Sequence, residues 1–270
     1  WSAGGTGRNL AENLARLGAD VTFVTDMADD PPGQFLLENL RQLNIDVRLA
    51  RRERTGVYLA ILRPDGGLDA GYCQTGTEAV TVAEIEAAFT GLSAYDGAVI
   101  DVNLDPAVIT HLADRCRRAS VPYALETTAH ERSRRVRGAL DGCALIKPDR
   151  GEAEVLTGLS CRTQAEASAC AAALRAQGAR RALVSLGPDG VAFVGEETAF
   201  TRPAPPTTVV DVTGAGDALL SAAFVGLLRG LTPERYVEAG LRAAALACAV
   251  HGATNPALGP DVFERPDNVS

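Results

Sequence analysis

Lysine is almost absent from this chain: of 26 lysines and arginines in 270 residues, Lys147 is the only lysine. In so alanine-rich a sequence the imbalance reads as compositional bias, and no chemistry is assigned to it. Basic residues are also outnumbered, since 34 aspartates and glutamates leave a net charge of -8. That balance argues against a broad electropositive surface for nucleic acid or anionic lipid. The cluster Arg132, Arg134, Arg135 and Arg137 reads as a solvated helix face. No apolar run has the length of a membrane span, and no basic-then-apolar leader pattern is present, so the expectation is a soluble, cytoplasmic protein. His111, His130 and His251 lie far apart in sequence, which gives no support to a histidine metal site. Cys73, Cys116, Cys143, Cys161, Cys170 and Cys248 include no CxxC pair; they read as free thiols, mostly buried, rather than a zinc, redox or disulfide framework.

What is present is a chain 46% hydrophobic and 22% charged, with enough apolar material for a large core. Residues 4–18 read as a glycine turn followed by a helix with Leu10, Leu14 and Leu17 on one face and Gly18 as its stop. A strand at 20–25 and a proline-opened helix at 31–43 follow. From 47 to 73 the pattern changes to strands, with a hairpin turn at 64–67, and predicts a small β sheet protruding from the body. Beyond Thr81 helices and strands alternate: helix 81–90, strand 97–101, helix 105–119, strand 122–126, a helical segment near 130–140 and strand 143–147. Helices at 150–157 and 163–177, strands at 181–186 and 190–195, and helices at 214–229 and 233–250 complete the order. Repeated βα units with apolar strands predict one α/β domain over 1–270, its mainly parallel sheet covered by helices on both faces.

The stretch that carries chemistry is Asp211-Val212-Thr213-Gly214-Ala215-Gly216-Asp217, followed by a strongly apolar helix ending at Gly230. Two glycines around an alanine leave the backbone open to close approach. The amides of Gly214, Ala215 and Gly216 are expected to face outward from a helix N-terminus, a favourable seat for a phosphate or for developing phosphoryl charge. Asp217 follows directly, where a second negative charge would hinder phosphate binding unless it had a task. A carboxylate there can accept the proton of an attacking hydroxyl. Cradle and base together predict phosphoryl transfer. Competing motifs fail: Gly4-Gly5-Thr6-Gly7 lacks the spacing of a dinucleotide loop, Lys147 is followed by Pro148 rather than a P-loop serine or threonine, and Ser185 and Ser221 have no nucleophile elbow.

DVTGAGD resembles the C-terminal signature of the ribokinase-like (PfkB) carbohydrate and nucleoside kinases. GGTGRNLAENLARLG resembles the family's N-terminal signature, KPDRGEAEVLTG at 147–158 its N-x-x-E block, and SLGPDGV at 185–191 its nucleotide-binding turn. The blocks occur in family order, and together with DVNL at 101–104 and ATNPAL at 253–258 they look most like the pseudouridine kinases. The resemblance implies a three-layer αβα sandwich with a small β lid, and ATP-dependent phosphorylation of a small-molecule nucleoside or sugar. Asp217 would be the base, the amides of Gly214, Ala215 and Gly216 the anion hole, and Asn9 with Gly4 and Gly5 the sugar contacts. Ser185, Gly187, Thr213 and Asn255 would lie by the nucleotide. Glu152 and Asp149 would position Mg²⁺ through water. Asp211 and Thr213 would offer oxygens to a monovalent cation such as K⁺, and the lid would double as a homodimer interface.

Three departures qualify the resemblance. Asp149 replaces the asparagine of N-x-x-E, and Glu126-Thr127-Thr128 stands where Asp-Pro is common. The chain opens on Trp1 directly before the glycine turn, so a first strand and its substrate-binding aspartate are expected upstream of Gly4. Rival readings are ribokinase or another sugar or nucleoside kinase, and a non-catalytic or truncated kinase-derived binding protein.

Overall fold

The computed structural model describes residues 2–62, 68–74, 80–89 and 91–264, with side chains described everywhere in these ranges except at 51, 58–62 and 68–74. The elements run α1 (Thr6–Arg16), β1 (Thr22–Met27), α2 (Pro31–Gln42), β2 (Asp46–Arg51), β3 (Val57–Leu62), β4 (Leu68–Gln74) and α3 (Val82–Ala88). They continue with β5 (Ala98–Ile100), α4 (Pro106–Ala119), β6 (Tyr123–Leu125), β7 (Leu145–Ile146), α5 (Arg150–Thr157) and α6 (Gln164–Ala176). β8 (Ala182–Ser185), β9 (Val191–Val194), β10 (Ala199–Arg202), α7 (Ala215–Leu228) and α8 (Pro233–Cys248) close the order. Most helix starts are written locally. Asp30 and Asp105 cap α2 and α4 ahead of prolines, and Thr81, Asp149 and Thr163 form reciprocal capping boxes with Glu84, Glu152 and Glu166.

Strands β5 to β8 run parallel, and β9 and β10 add antiparallel neighbours, giving the order β10-β9-β8-β7-β6-β5. The alternation of side chains along each strand assigns the two faces. Tyr123, Leu125, Ile146, Ala182 and Val184 pack with α4, α5 and α6, whereas Ala124, Leu145, Leu183, Val191 and Phe193 pack with α7 and α8. The result is an αβα sandwich. Helix α7 is apolar all round because it is buried on both sides: Leu220 and Phe224 meet the sheet, while Ala218, Ala222 and Val225 meet Leu17 and α8. Close contact of α7 with α8 needs Gly226 and Gly240, where a methyl group would fall 2.6 Å from the Tyr236 Cβ and 2.8 Å from a Leu219 methyl.

Four expectations are corrected. β2 is not part of the protruding sheet: it pairs in parallel with β1, Thr22 opposite Asp46, because Val47 and Leu49 pack with α2 and β1. The excursion is therefore the antiparallel β3–β4 hairpin alone, and its turn at 64–67 lies outside the described residues. The helical segment expected near 130–140 is present as a 3-10 helix at Arg132–Ala139, but its arginine face is not merely solvated: Arg132 bonds to Asn103 Oδ1 and Arg137 to the Val155 carbonyl of α5. β10 was missed, since AFTR alternates too briefly to stand out; it is held by Phe200 stacking on Phe193 at 5.0 Å. The β1–β2 pair is separate from the six-stranded sheet, and β1 and β5 both line a large cleft.

Candidate active site

In a parallel sheet the carboxyl ends of the strands and the helix N-termini that follow them gather at one edge. Here each strand exits into an ionisable residue: Asp101 after β5, Glu126 after β6 and Lys147 after β7, with Ser185 ending β8. The N-terminus of α7 faces this row across the cleft, and Asp101, Lys147, Ser185, Gly187 and Gly214 to Asp217 line it.

Helix α7 starts at Gly214 with φ 77°, and no side chain caps it. A methyl group at Gly214 would fall 1.9 Å from the Ala253 carbonyl oxygen, so only glycine makes this turn. Asp211 stitches the two adjoining loops together, accepting from the Thr213 amide at 2.9 Å and the Gly252 amide at 3.1 Å. The Thr213 hydroxyl foremost, and then these two amides, hold its carboxyl below the usual range. The Ala215 amide turns back to the Val212 carbonyl at 3.3 Å. Among the described residues the amides of Gly214, Gly216 and Asp217 have no protein acceptor. One member of the expected trio is therefore exchanged, Asp217 for Ala215, because a β-turn closes the Ala215 amide on the Val212 carbonyl.

Asp217 is 8% exposed. Its Oδ2 accepts from Asn9 Nδ2 at 2.9 Å, and its Oδ1 has no protein partner among the described residues. Burial raises its pKa to about 6, against the lowering effects of Asn9 and Lys147. Asn9, expected to hold sugar hydroxyls, lines the cleft; its Nδ2 bonds the Asp217 carboxylate, and its own Oδ1 takes a bond from Arg8 at 3.1 Å. Arg8 is tied down by Glu12, which Arg16 also contacts at 2.8 Å. Gly4 and Gly5 line the cleft beside it, Gly5 with φ 100° at the start of α1.

Glu152 is buried under the same floor. Its Oε2 accepts from the Asp149 amide at 2.9 Å and the Thr127 hydroxyl at 2.8 Å, and its Oε1 has no protein partner among the described residues. Asp149 spends an oxygen capping α5 and lies 3.8 Å from His130. Among the described residues no three acidic, histidine or cysteine side chains gather as a metal cage. The free Glu152 Oε1 nonetheless fits an ion held mainly by phosphates and water, the usual state of Mg²⁺. Asn255 does not fit its expected place by the nucleotide: it is buried, donates to the Leu246 carbonyl at 2.6 Å, accepts from the Ala257 amide at 2.9 Å, and does not line the cleft.

Two residues at the strand exits escaped the sequence reading. Asp101 lies against the start of α1, where a methyl on Gly7 would sit 3.1 Å from its Oδ2, and it is held by the Asn103 amide at 2.8 Å. Burial pushes its carboxyl up. Lys147 is 4% exposed, and a methyl on Gly216 would stand 2.8 Å from its Nζ. The signal was an ionisable residue closing each apolar strand.

A family model described as pfkB family carbohydrate kinase matches residues 1–258. The guanosine-inosine kinase of Exiguobacterium acetylicum is 30% identical over 98% of this chain and 88% of its own. The pseudouridine kinase of Escherichia coli K12 is 26% identical over 96% and 83%. Among solved structures, ribokinase of Arabidopsis thaliana complexed with ribose and ATP matches with a TM-score of 0.84 at 23% identity, covering 97% of this chain and 88% of that one. With an uncapped, glycine-started α7 and its buried aspartate in the place the signature requires, the chain belongs to the pfkB family of carbohydrate kinases, and it is a small-molecule kinase with the ribokinase fold.

Proposed function

We propose that this kinase transfers the γ-phosphoryl group of ATP to the 5′-hydroxyl of a nucleoside, with pseudouridine as the acceptor. The observation that carries the reading is the pairing of Asp217 Oδ1, free and lining the cleft, with the open amides of Gly214, Gly216 and Asp217. The acceptor oxygen bonds to the γ-phosphorus as the bond to the β-phosphate oxygen breaks. Its proton passes to Asp217, and ADP leaves with the electron pair. Asn9 keeps the carboxylate aimed, and the three amides hold the equatorial oxygens. Bound with the triphosphate, Mg²⁺ would neutralise phosphate charge, with Glu152 and Asp149 holding its waters. Asp211 and Thr213 remain the oxygens suited to a K⁺ beside the α7 loop.

A neutral acceptor is favoured over a sugar phosphate by charge. Asp101 puts a carboxyl at the acceptor end, and Arg8 nearby is committed to Glu12. A second phosphate there would meet an acidic group, and the cleft arginine on that side, Arg132, is bonded to Asn103 with its charge already set against Asp101. The similarity to a guanosine-inosine kinase supports a purine nucleoside as the second reading. ADP release measured with pseudouridine, uridine, guanosine, inosine, ribose and fructose 6-phosphate tests both. The highest kcat/KM is expected with pseudouridine; a preference for ribose or a sugar phosphate overturns the nucleoside assignment.

A further inference from the structure

Lys147 is the chain's only lysine, and the fold carries it into the buried edge where the sheet meets α7. Its carbonyl is near the Thr127 hydroxyl at 3.2 Å, and Pro148 fixes the chain immediately after it. Its ammonium makes no hydrogen bond and no ion pair among the described residues, although Glu126, Glu152 and Asp217 all feel its charge. Instead Nζ lies over the first turn of α7, at the face of Gly216, whose amide is one of the three open donors. An ammonium without a partner, on a side chain this buried and open only to the cleft, is costly unless an anion completes it. Arg150, the nearest cation along the chain, is committed to Asp189 and to the carbonyls of Cys161, Arg162 and Leu186.

We infer that Lys147 is a catalytic residue that contacts the migrating phosphoryl group, its ammonium and the α7 amides gripping that group from two sides. The inference rests on the phosphoryl-transfer reading above. It deepens that reading by supplying the positive charge that a cleft lined by Asp149, Glu152 and Asp217 otherwise lacks at this point. Lys147 stays protonated throughout: the acceptor's proton goes to Asp217, and the ammonium answers the charge spread over the phosphoryl oxygens as the bond to ADP breaks. An ammonium suits this role better than a guanidinium, because it is a compact point charge able to sit against a glycine in a closed space.

Being unique, Lys147 can be observed without substitution. In protein grown on [13Cε]lysine the side chain gives a single Cε resonance. That resonance is expected to shift on addition of AMP-PNP with Mg²⁺ and to stay in place with adenosine; no movement with AMP-PNP overturns the contact. This arm needs no turnover, so it reads Lys147 even if every acceptor fails, a result that would sink the kinase reading alone. In the second arm, Lys147→Met is expected to lower kcat about 100-fold or more, with KM for the acceptor changed less than about threefold, and Lys147→Arg to recover part of the loss. A Met variant that folds, by its circular dichroism, and retains kcat within threefold overturns the inference.

Discussion

Helices α5 and α7 both begin at the carboxyl edge of the sheet and both line the cleft, yet their first turns are opposites. α5 is closed by its own sequence: Asp149 accepts from the Glu152 amide, and Glu152 returns the bond to the Asp149 amide, each at 2.9 Å. α7 starts on a glycine with nothing to cap it, and three amides remain open beside a buried lysine. A helix dipole is common to both. What separates a structural start from an anion seat is whether the chain satisfies its own donors, and the start that cannot do so is left for a ligand.

Breaking the α7 end should give the largest effect. Asp217→Asn preserves size and the Asn9 bond but removes the base, and kcat is expected to fall about 10³- to 10⁴-fold, with ATP binding by calorimetry retained. The same variant should be more stable than the parent at pH 7.5. The folded pKa of Asp217 is raised to about 6, so the native state holds this proton more tightly than the unfolded chain, and stability drains away as pH rises from about 4 through 6. Removing the charge should restore on the order of 2 kcal/mol, seen as a higher Tm at pH 7.5 and no gain near pH 3.5.

Gly214→Ala forces a methyl onto the Ala253 carbonyl in a left-handed turn. A stability loss of about 2 kcal/mol or more is expected in urea titration, together with weakened ATP binding. In the unaltered protein, kcat/KM should fall about tenfold for each pH unit below about 6, as Asp217 takes up the proton that disables it. A profile flat down to pH 4.5 would remove Asp217 from the base role. The smallest effect belongs to α5: Asp149→Ala loses a cap worth about 1 kcal/mol, a drop of roughly 2–4 °C in Tm. ATP–Mg²⁺ affinity is expected to fall modestly, because Asp149 shares the ion's waters with Glu152; a loss as large as that of Gly214→Ala would erase the contrast between the two helices.

Much of this was legible along the chain because it is local. The capping residues Asp30, Thr81, Asp105, Asp149 and Thr163 announce their helices within four residues, and the two glycines before Asp217 mark the open turn. β2 was misplaced because strand pairing is set by partners far away: nothing within 47–51 distinguishes pairing with β1 from pairing with the following hairpin. Asn255 was misassigned for a similar reason, since a polar side chain in a loop does not reveal that the Leu246 carbonyl of α8 and the Ala257 amide will consume both of its ends.

Sequence alone settled the kind of fold and the kind of chemistry, since periodicity, caps and a glycine-flanked aspartate act over a few residues. Lys147 looked like an accident of composition in the linear chain. Only the stacking of β5, β6 and β7 in parallel set Asp101, Glu126 and Lys147 in one row opposite α7. That row depends on strand order, and strand order is decided by which apolar faces meet across the whole sandwich.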